Sequence, residues 1–296
     1  PNWPSNGGSM YLIKSVTELL QYSDQLQSMS DTALLDTELL LCFTLDVDRT
    51  WLKTWPDHQL ETAQIKQFET LFSRRLKGEP VAFIIGRQGF WTLDLKVSAD
   101  TLIPRPETEL LVEIALGLDA PKAARVLDLG TGTGAIALAL ASERIDWQLT
   151  AVDSQMAAVN LAEINRQHCQ LDNVSIYQSD WFSQVPGSGA AAQYHLIVSN
   201  PPYIEINDPH LSEGDVRFEP TTALVSGQDG LDDLKIVIGQ SPMYLRPNGH
   251  LLVEHGYQQG TAVRSLFTTA GFTAIATHAD YNGLERVTLG RFPETA

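Results

Sequence analysis

After Arg125 the chain repeats one pattern: a short run rich in Val, Ile and Leu, then a helical stretch, then another such run. RVLDL, QLTAVD, VSIYQ, YHLIVS and HLLVE are separated by stretches such as AIALALASE, MAAVNLAEINRQ and DLKIVIGQSPMYL. Short strands that stay apolar on both faces need cover on both faces, and the intervening helices supply it. The alternation therefore predicts an α/β fold, a doubly wound parallel sheet with helices on either side. FTAIATH and ERVTLGRF flank Asn282-Gly283 and predict a terminal β-hairpin.

The chain before Arg125 has a different rhythm. Ser15 and Glu18 form an S-x-x-E capping box ahead of Leu19 and Leu20. Leu34, Leu35, Leu39 and Leu41 recur at helical spacing, as do Leu60, Phe68, Leu71, Phe72 and Leu76. Arg74, Arg75 and Lys77, followed by Gly78 and Pro80, read as a helix stop. Those three cations fit a solvated helix end answering its dipole better than a nucleic-acid patch. VAFIIG and FWTLDLKVS then alternate with a period of two and predict a β-hairpin linker. The domain plan is a small helical bundle over 10–80, a hairpin linker over 81–104 and an α/β domain over 105–296. Residues 1–9, PNWPSNGGS, are expected to be an expression remnant ahead of a native start at Met10.

Charge and composition exclude whole classes of function. The formal net charge of -16 repels a polyphosphate, so direct nucleic-acid binding is not expected. No apolar run approaches the ~18 residues of a membrane helix, so no membrane span is expected. Cys42 and Cys169 stand apart with no CxxC pair, which argues against a disulfide framework or a metal site and for a cytoplasmic protein.

Three segments carry chemistry. Asp128-Leu129-Gly130-Thr131-Gly132-Thr133-Gly134 ends the first strand of the α/β domain and opens a helix. Glycines there let the backbone approach a ligand, and the helix start presents free N–H groups. Asp153, at the end of the second strand, can accept the hydroxyl hydrogens of an adenosine ribose. Gly130, Gly132 and Ala135 also satisfy a dinucleotide pattern. Asp128 would repel a pyrophosphate but can neutralise the cationic amino acid end of S-adenosylmethionine, and so favours the methyl donor. After the third strand, Asp180 is placed to meet an adenine amine and Trp181 either packs on the adenine or caps the sheet.

Asn200-Pro201-Pro202-Tyr203 follows YHLIVS directly. Two prolines cannot continue a ladder, so the chain leaves the sheet abruptly at its C-terminal edge. The Asn200 amide oxygen and the Pro201 carbonyl can accept both hydrogens of a planar –NH2 group, with Tyr203 stacked on it. Downstream of a glycine loop and a ribose acid, this predicts N-methylation of an amine or amide. His255, in VEHG, is the nearest base by position and reads as structural.

TLIPRPETE, DLGTGTG, VSNPPY and the RFEP of Arg217 to Pro220 together resemble the release factor glutamine methyltransferases, the HemK/PrmC family. The likeness runs from Met10 to the end. It implies a Rossmann-like class I methyltransferase sheet and S-adenosyl-L-methionine as cofactor, with S-adenosyl-L-homocysteine as product. The acceptor it implies is the glutamine amide of the GGQ motif in class-1 peptide chain release factors. Gly130 to Gly134, Asp153 and Trp181 match the family's cofactor contacts, and Asn200 to Tyr203 its glutamine-binding motif. Residues 183–193 look like a flexible loop longer than the family needs. A DNA adenine methyltransferase, which must grip a backbone and flip a base, is disfavoured by the acidic charge. Three further functions stay open: methylation of a ribosomal protein glutamine at the same site, non-catalytic cofactor sensing, and a Rossmann dehydrogenase activity.

Overall fold

The computed structural model describes residues 14–186 and 193–294. The expected remnant, Met10, and residues 187–192 of the 183–193 loop lie outside the described residues. The chain forms two compact units. One runs up to Ile85 and also takes in Glu213–Phe218, and the other comprises Gly86–Ser212 and Glu219 onward.

The first unit is helical. Its elements are β1 (Lys14–Ser15), α1 (Val16–Leu20), α2 (Ala33–Leu45), α3 (Arg49–Thr54), β2 (Gln59–Leu60), α4 (Thr62–Arg75) and α5 (Val81–Ile85). The capping box is present at α1: Glu18 N donates to Ser15 Oγ at 3.2 Å and Ser15 N to Glu18 Oε2 at 2.7 Å. Leu40, Leu41, Leu52, Phe68 and Phe72 fill the core. Three expectations change here. Leu34 is 54% exposed, because α2 turns Asp36, Thr37 and Glu38 inward with Leu40 and Leu41. VAFII is a helical turn rather than a strand: the Pro80 carbonyl accepts from Phe83 N and Ile84 N, each at 3.0 Å. An all-apolar run packed into a core has no polar face from which to read a period.

The basic helix end is the third change. Gly78 does adopt the left-handed conformation of a C′ residue, with φ +90°. Arg75, however, is buried rather than solvated. Its Nε donates to Asp36 Oδ2 and its Nη1 to Asp215 Oδ1, both at 2.8 Å, and Nη1 also meets the carbonyls of Gly78 and Glu79. Asp36 is held in turn by the hydroxyls of Ser30 and Thr32. Arg74 pairs with Glu79. A buried guanidinium is tolerable only when its fork is answered by acceptors, and here Nε and Nη1 both are.

The second unit begins with a hairpin, β3 (Arg87–Phe90) against β4 (Leu93–Lys96), shorter than the predicted linker and starting after α5. Pro106 starts a 3₁₀ turn, Pro106–Thr108, that leads into α6 (Glu109–Gly117), where its missing N–H costs nothing. The strands and helices then alternate as expected: β5 (Arg125–Leu129), α7 (Ala135–Glu143), β6 (Gln148–Asp153), α8 (Met156–His168), β7 (Val174–Gln178), β8 (Tyr194–Ser199), α9 (Asp232–Gln240), β9 (Leu245–Glu254), α10 (Gly260–Thr269), β10 (Thr273–Ala279) and β11 (Glu285–Arg291). Among the described residues they form a seven-stranded sheet ordered β10-β11-β9-β8-β5-β6-β7. The five strands from β5 to β9 run parallel, and the terminal hairpin adds β11 antiparallel to β9 and β10 antiparallel to β11. Successive side chains of β5 serve opposite layers. Val126 packs with Leu138 and Leu140 of α7, while Leu127 and Leu129 pack with Leu234, Val237 and Phe267 of α9 and α10.

Removing the Arg75 guanidinium strands the Asp36 carboxylate in the core of the helical unit. Arg75→Met should cost about 3–5 kcal/mol, the usual penalty for breaking a buried pair, and Asp36→Leu in the same chain should recover much of it. Urea denaturation of the single and double variants measures both; equal stability of Arg75→Met and wild type would show the pair to be inert.

Candidate active site

β5 and β8 are neighbours whose onward connections diverge, β5 toward β6 and β8 toward β9. A crevice opens outside the strand ends at such a switch point. Leu129 pairs with Ser199 in register, so the glycine loop after β5 and Asn200 after β8 leave the sheet side by side. The crevice is a cavity of about 390 Å³, within the ~300–1,000 Å³ range of small-molecule sites.

The glycine loop is built by left-handed residues. Gly130, Gly132 and Gly134 have φ of +70°, +56° and +86°. A Cβ on Gly134 would come within 3.0 Å of Leu138 Cδ1, and one on Gly130 within 3.4 Å of the Trp181 ring. Thr131 N donates to the Val152 carbonyl at 2.9 Å and Gly132 N to Asp153 Oδ2 at 3.0 Å, which ties the loop to the end of β6. Asp153 Oδ1 accepts from Gln155 N at 2.9 Å. Burial pushes the Asp153 pKa up, against the pull of those backbone donors. The two carboxylate oxygens have about four lone-pair sites, so the backbone donors leave room for a ribose hydroxyl.

Gly130, Thr131, Gly132, Thr133, Asp153, Asp180, Trp181, Asn200 and Pro202 line this one cavity; Gly134, Pro201 and Tyr203 do not. Asp180 is exposed at the rim. Trp181 has a φ of +46°, and its indole N–H donates to Asp233 Oδ1 at 3.2 Å, so the ring stands between the glycine loop and α9. Tyr203 differs from the expected stacking ring. Its hydroxyl donates to Glu254 Oε1 at 3.2 Å, its carbonyl accepts from Gln259 Nε2 at 3.0 Å, and its ring packs beside the core under α9. Burial, then the neighbouring Glu254, holds its phenol well above the usual range.

Asp128 also departs from expectation. It is fully buried and does not line the cavity. Its Oδ2 accepts from Thr131 Oγ1 at 2.6 Å and Ala137 N at 3.3 Å, bracing the loop from beneath. Burial raises its pKa to about 7. His255 is buried, with one ring nitrogen against the Gly256 carbonyl and the other against the Thr288 hydroxyl, each at 2.9 Å, and is structural.

Several residues of the site were not legible in the sequence. Arg105 and Thr108, from PRPETE, line the cavity, and Arg105 pairs with the buried carboxylate of Glu219 in RFEP. Asn200 Nδ2 donates to Thr108 Oγ1 at 3.2 Å. Glu254 is 2% exposed at the end of β9, and burial raises its pKa to about 7 against the hydroxyls of Thr108 and Tyr203. The only sequence signal for this group was a charged and hydroxylated motif held between prolines. Among the described residues no group of His, Cys, Asp and Glu could hold a metal ion, and no helix is long and apolar enough to cross a membrane.

Comparison with known proteins places this arrangement. Residues 18–86 match the PrmC N-terminal domain and residues 106–213 the methyltransferase small domain. The release factor glutamine methyltransferase of Pseudomonas aeruginosa is 54% identical over 89% of this chain and 94% of its own length. That of Shewanella oneidensis is 48% identical over 94% and 96%. The crystal structure of a methyltransferase from Pyrococcus furiosus shares the fold, with a TM-score of 0.52 at 14% identity over 77% of this chain and all of that one.

Burying Asp128 makes stability depend on pH. Its folded pKa, about 7, lies above the ordinary value of 3.8, so between those values the folded state holds a proton that the unfolded chain has lost. That raised pKa subtracts stability as pH rises from about 4 to about 7. Asp128→Asn lacks the effect. Unfolding free energies from urea titrations across this window should therefore shift in the variant's favour by more than about 1.4 kcal/mol, the worth of one pKa unit. A pH-independent difference would mean that Asp128 titrates normally.

Proposed function

The chain belongs to the release factor glutamine methyltransferase family, and on that premise we propose its reaction. It transfers a methyl group from S-adenosylmethionine to the side-chain amide nitrogen, N5, of the glutamine in the GGQ motif of class-1 peptide chain release factors. The observation that carries this reading is the Asn200 carboxamide lining the same cavity as the glycine loop and Asp153.

S-adenosylmethionine, when bound, supplies an electrophilic methyl group. The residues fit it: positive-φ glycines permit close approach, Asp153 offers its remaining lone pairs to the ribose hydroxyls, and Trp181 and Asp180 border the place for the base. Asn200 and Pro201 do the rest of the work. An amide nitrogen is a poor nucleophile, since its lone pair is delocalised into the carbonyl. Holding it in line with the methyl group can supply roughly 7–11 kcal/mol of effective molarity. On this reading the side-chain oxygen of Asn200, which lines the cavity, accepts one of its hydrogens. The Pro201 carbonyl, although Pro201 does not itself line the cavity, accepts the other; together they stabilise the positive charge that grows there. An ester or alcohol would leave those acceptors unpaired and is rejected. The methylated amide cation is a strong acid and yields its proton to water, so no side chain is assigned as base.

Residues 10–80 recognise the protein substrate in this scheme, residues 81–104 form the linker and residues 105–296 carry the chemistry. The cytoplasm, where release factors act, is the corresponding compartment. The test is incubation with methyl-labelled donor and a class-1 release factor, followed by mass spectrometric location of the label. Label on the GGQ glutamine is expected, and its absence from that residue sinks the reading.

Two variants separate the roles. Asp153→Ala should weaken donor binding by about 1–3 kcal/mol, the cost of losing a charged acceptor, and calorimetry with unchanged affinity would remove Asp153 from the site. Asn200→Ala should lower kcat by ~10²–10³ at saturating donor and release factor, as loss of one preorganised group does. Single-turnover transfer at the wild-type rate would show that Asn200 does not hold the amide.

A further inference from the structure

A carboxamide has a donor end and an acceptor end of nearly the same shape, and only one of them suits an amide N–H. Asn200 in a wide cavity needs something to decide which end faces the substrate. Its Nδ2 donates to Thr108 Oγ1 at 3.2 Å, and among the described residues no group donates to its Oδ1. Thr108 closes the turn Pro106–Thr108 and is only 4% exposed, so its position is set by the PRPET backbone rather than by solvent.

Behind it lies Glu254, whose carboxylate is stabilised by the hydroxyls of Thr108 and Tyr203. The Tyr203 hydroxyl proton is turned toward Glu254, and the lone pairs of Thr108 Oγ1 face Asn200 Nδ2. The two polar side chains of the NPPY segment are thus each tied to a different buried group, Asn200 to Thr108 and Tyr203 to Glu254.

Resting on the amide reading of the site, we propose that Thr108 is a positioning residue: by accepting from Asn200 Nδ2 it holds Oδ1 toward the cavity as the acceptor for the glutamine amide. Without this anchor the carboxamide can turn over and present N–H to N–H, which repels the substrate.

The experiment is a double-mutant cycle on single-turnover methyl transfer to a class-1 release factor, with donor affinity measured separately by calorimetry. Thr108→Val should lower the transfer rate about 10–100-fold, the usual cost of a misplaced reacting group, and leave donor affinity unchanged. Thr108→Ser, which keeps the hydroxyl, should restore most of the rate. In an Asn200→Ala background, Thr108→Val should cost nothing further, because the group it positions is gone. A Val variant at the wild-type rate overturns the proposal, as does an equal loss with and without Asn200. If Thr108→Val does not fold, Ser against Ala at this position gives the same comparison. A wild-type enzyme that leaves the factor unlabelled is a different failure, that of the glutamine reading itself.

Discussion

The register between β5 and β8 is the constraint on which the site depends. Leu129 opposite Ser199 makes two chain segments leave the sheet at one level, and the outward divergence of their connections keeps the space above them open. Slip either strand by one residue and every side chain on it changes face. Leu127 and Leu129 would then meet α7 instead of α9 and α10, so the apolar layers on both sides hold the register. The core thereby sets the distance between the glycine loop and Asn200.

The cavity carries an electrostatic tension of its own. Asp128 and Glu254 are both buried acids with pKa values raised to about 7, one beneath the glycine loop and the other beneath the NPPY exit. Neither lines the cavity. Each stands one layer back and accepts from a neighbouring hydroxyl, Thr131 for Asp128 and Tyr203 for Glu254. In its ionised form each only accepts, and so imposes direction on a hydrogen-bond chain. The stability each subtracts near neutrality is the cost of fixing how the lining residues point.

Legibility in the sequence followed range. The strands RVLDL to HLLVE, the helix AIALALASE, the capping box of Ser15 and the terminal hairpin depend on local period and on turn chemistry, and each was readable within a dozen residues. The glycine loop, Asp153 and Asn200 were readable because Gly frees the backbone for positive φ and Pro fixes it, whatever the context. What escaped depends on partners far along the chain. Arg75 looked like a solvated helix end until Asp36 and Asp215 enclosed it. Thr108 and Arg105 looked like turn residues until Asn200 and Glu219 met them. Tyr203 misled for the same reason, since a ring beside a reactive Asn reads as a stacking surface until Glu254 claims its hydroxyl. VAFII failed differently, because five apolar residues in a row carry no period at all.

The pairing of Arg75 with Asp215 also bears on how this protein is born. The two residues are 140 positions apart, yet both belong to the helical unit. A chain emerging from a ribosome at ~5–20 residues per second has therefore finished α4 on the order of 10 s before Asp215 is even polymerised. Until then the nascent bundle holds a guanidinium with one of its two carboxylate partners missing. The N-terminal part of this protein, first to be made, is among the last to be complete.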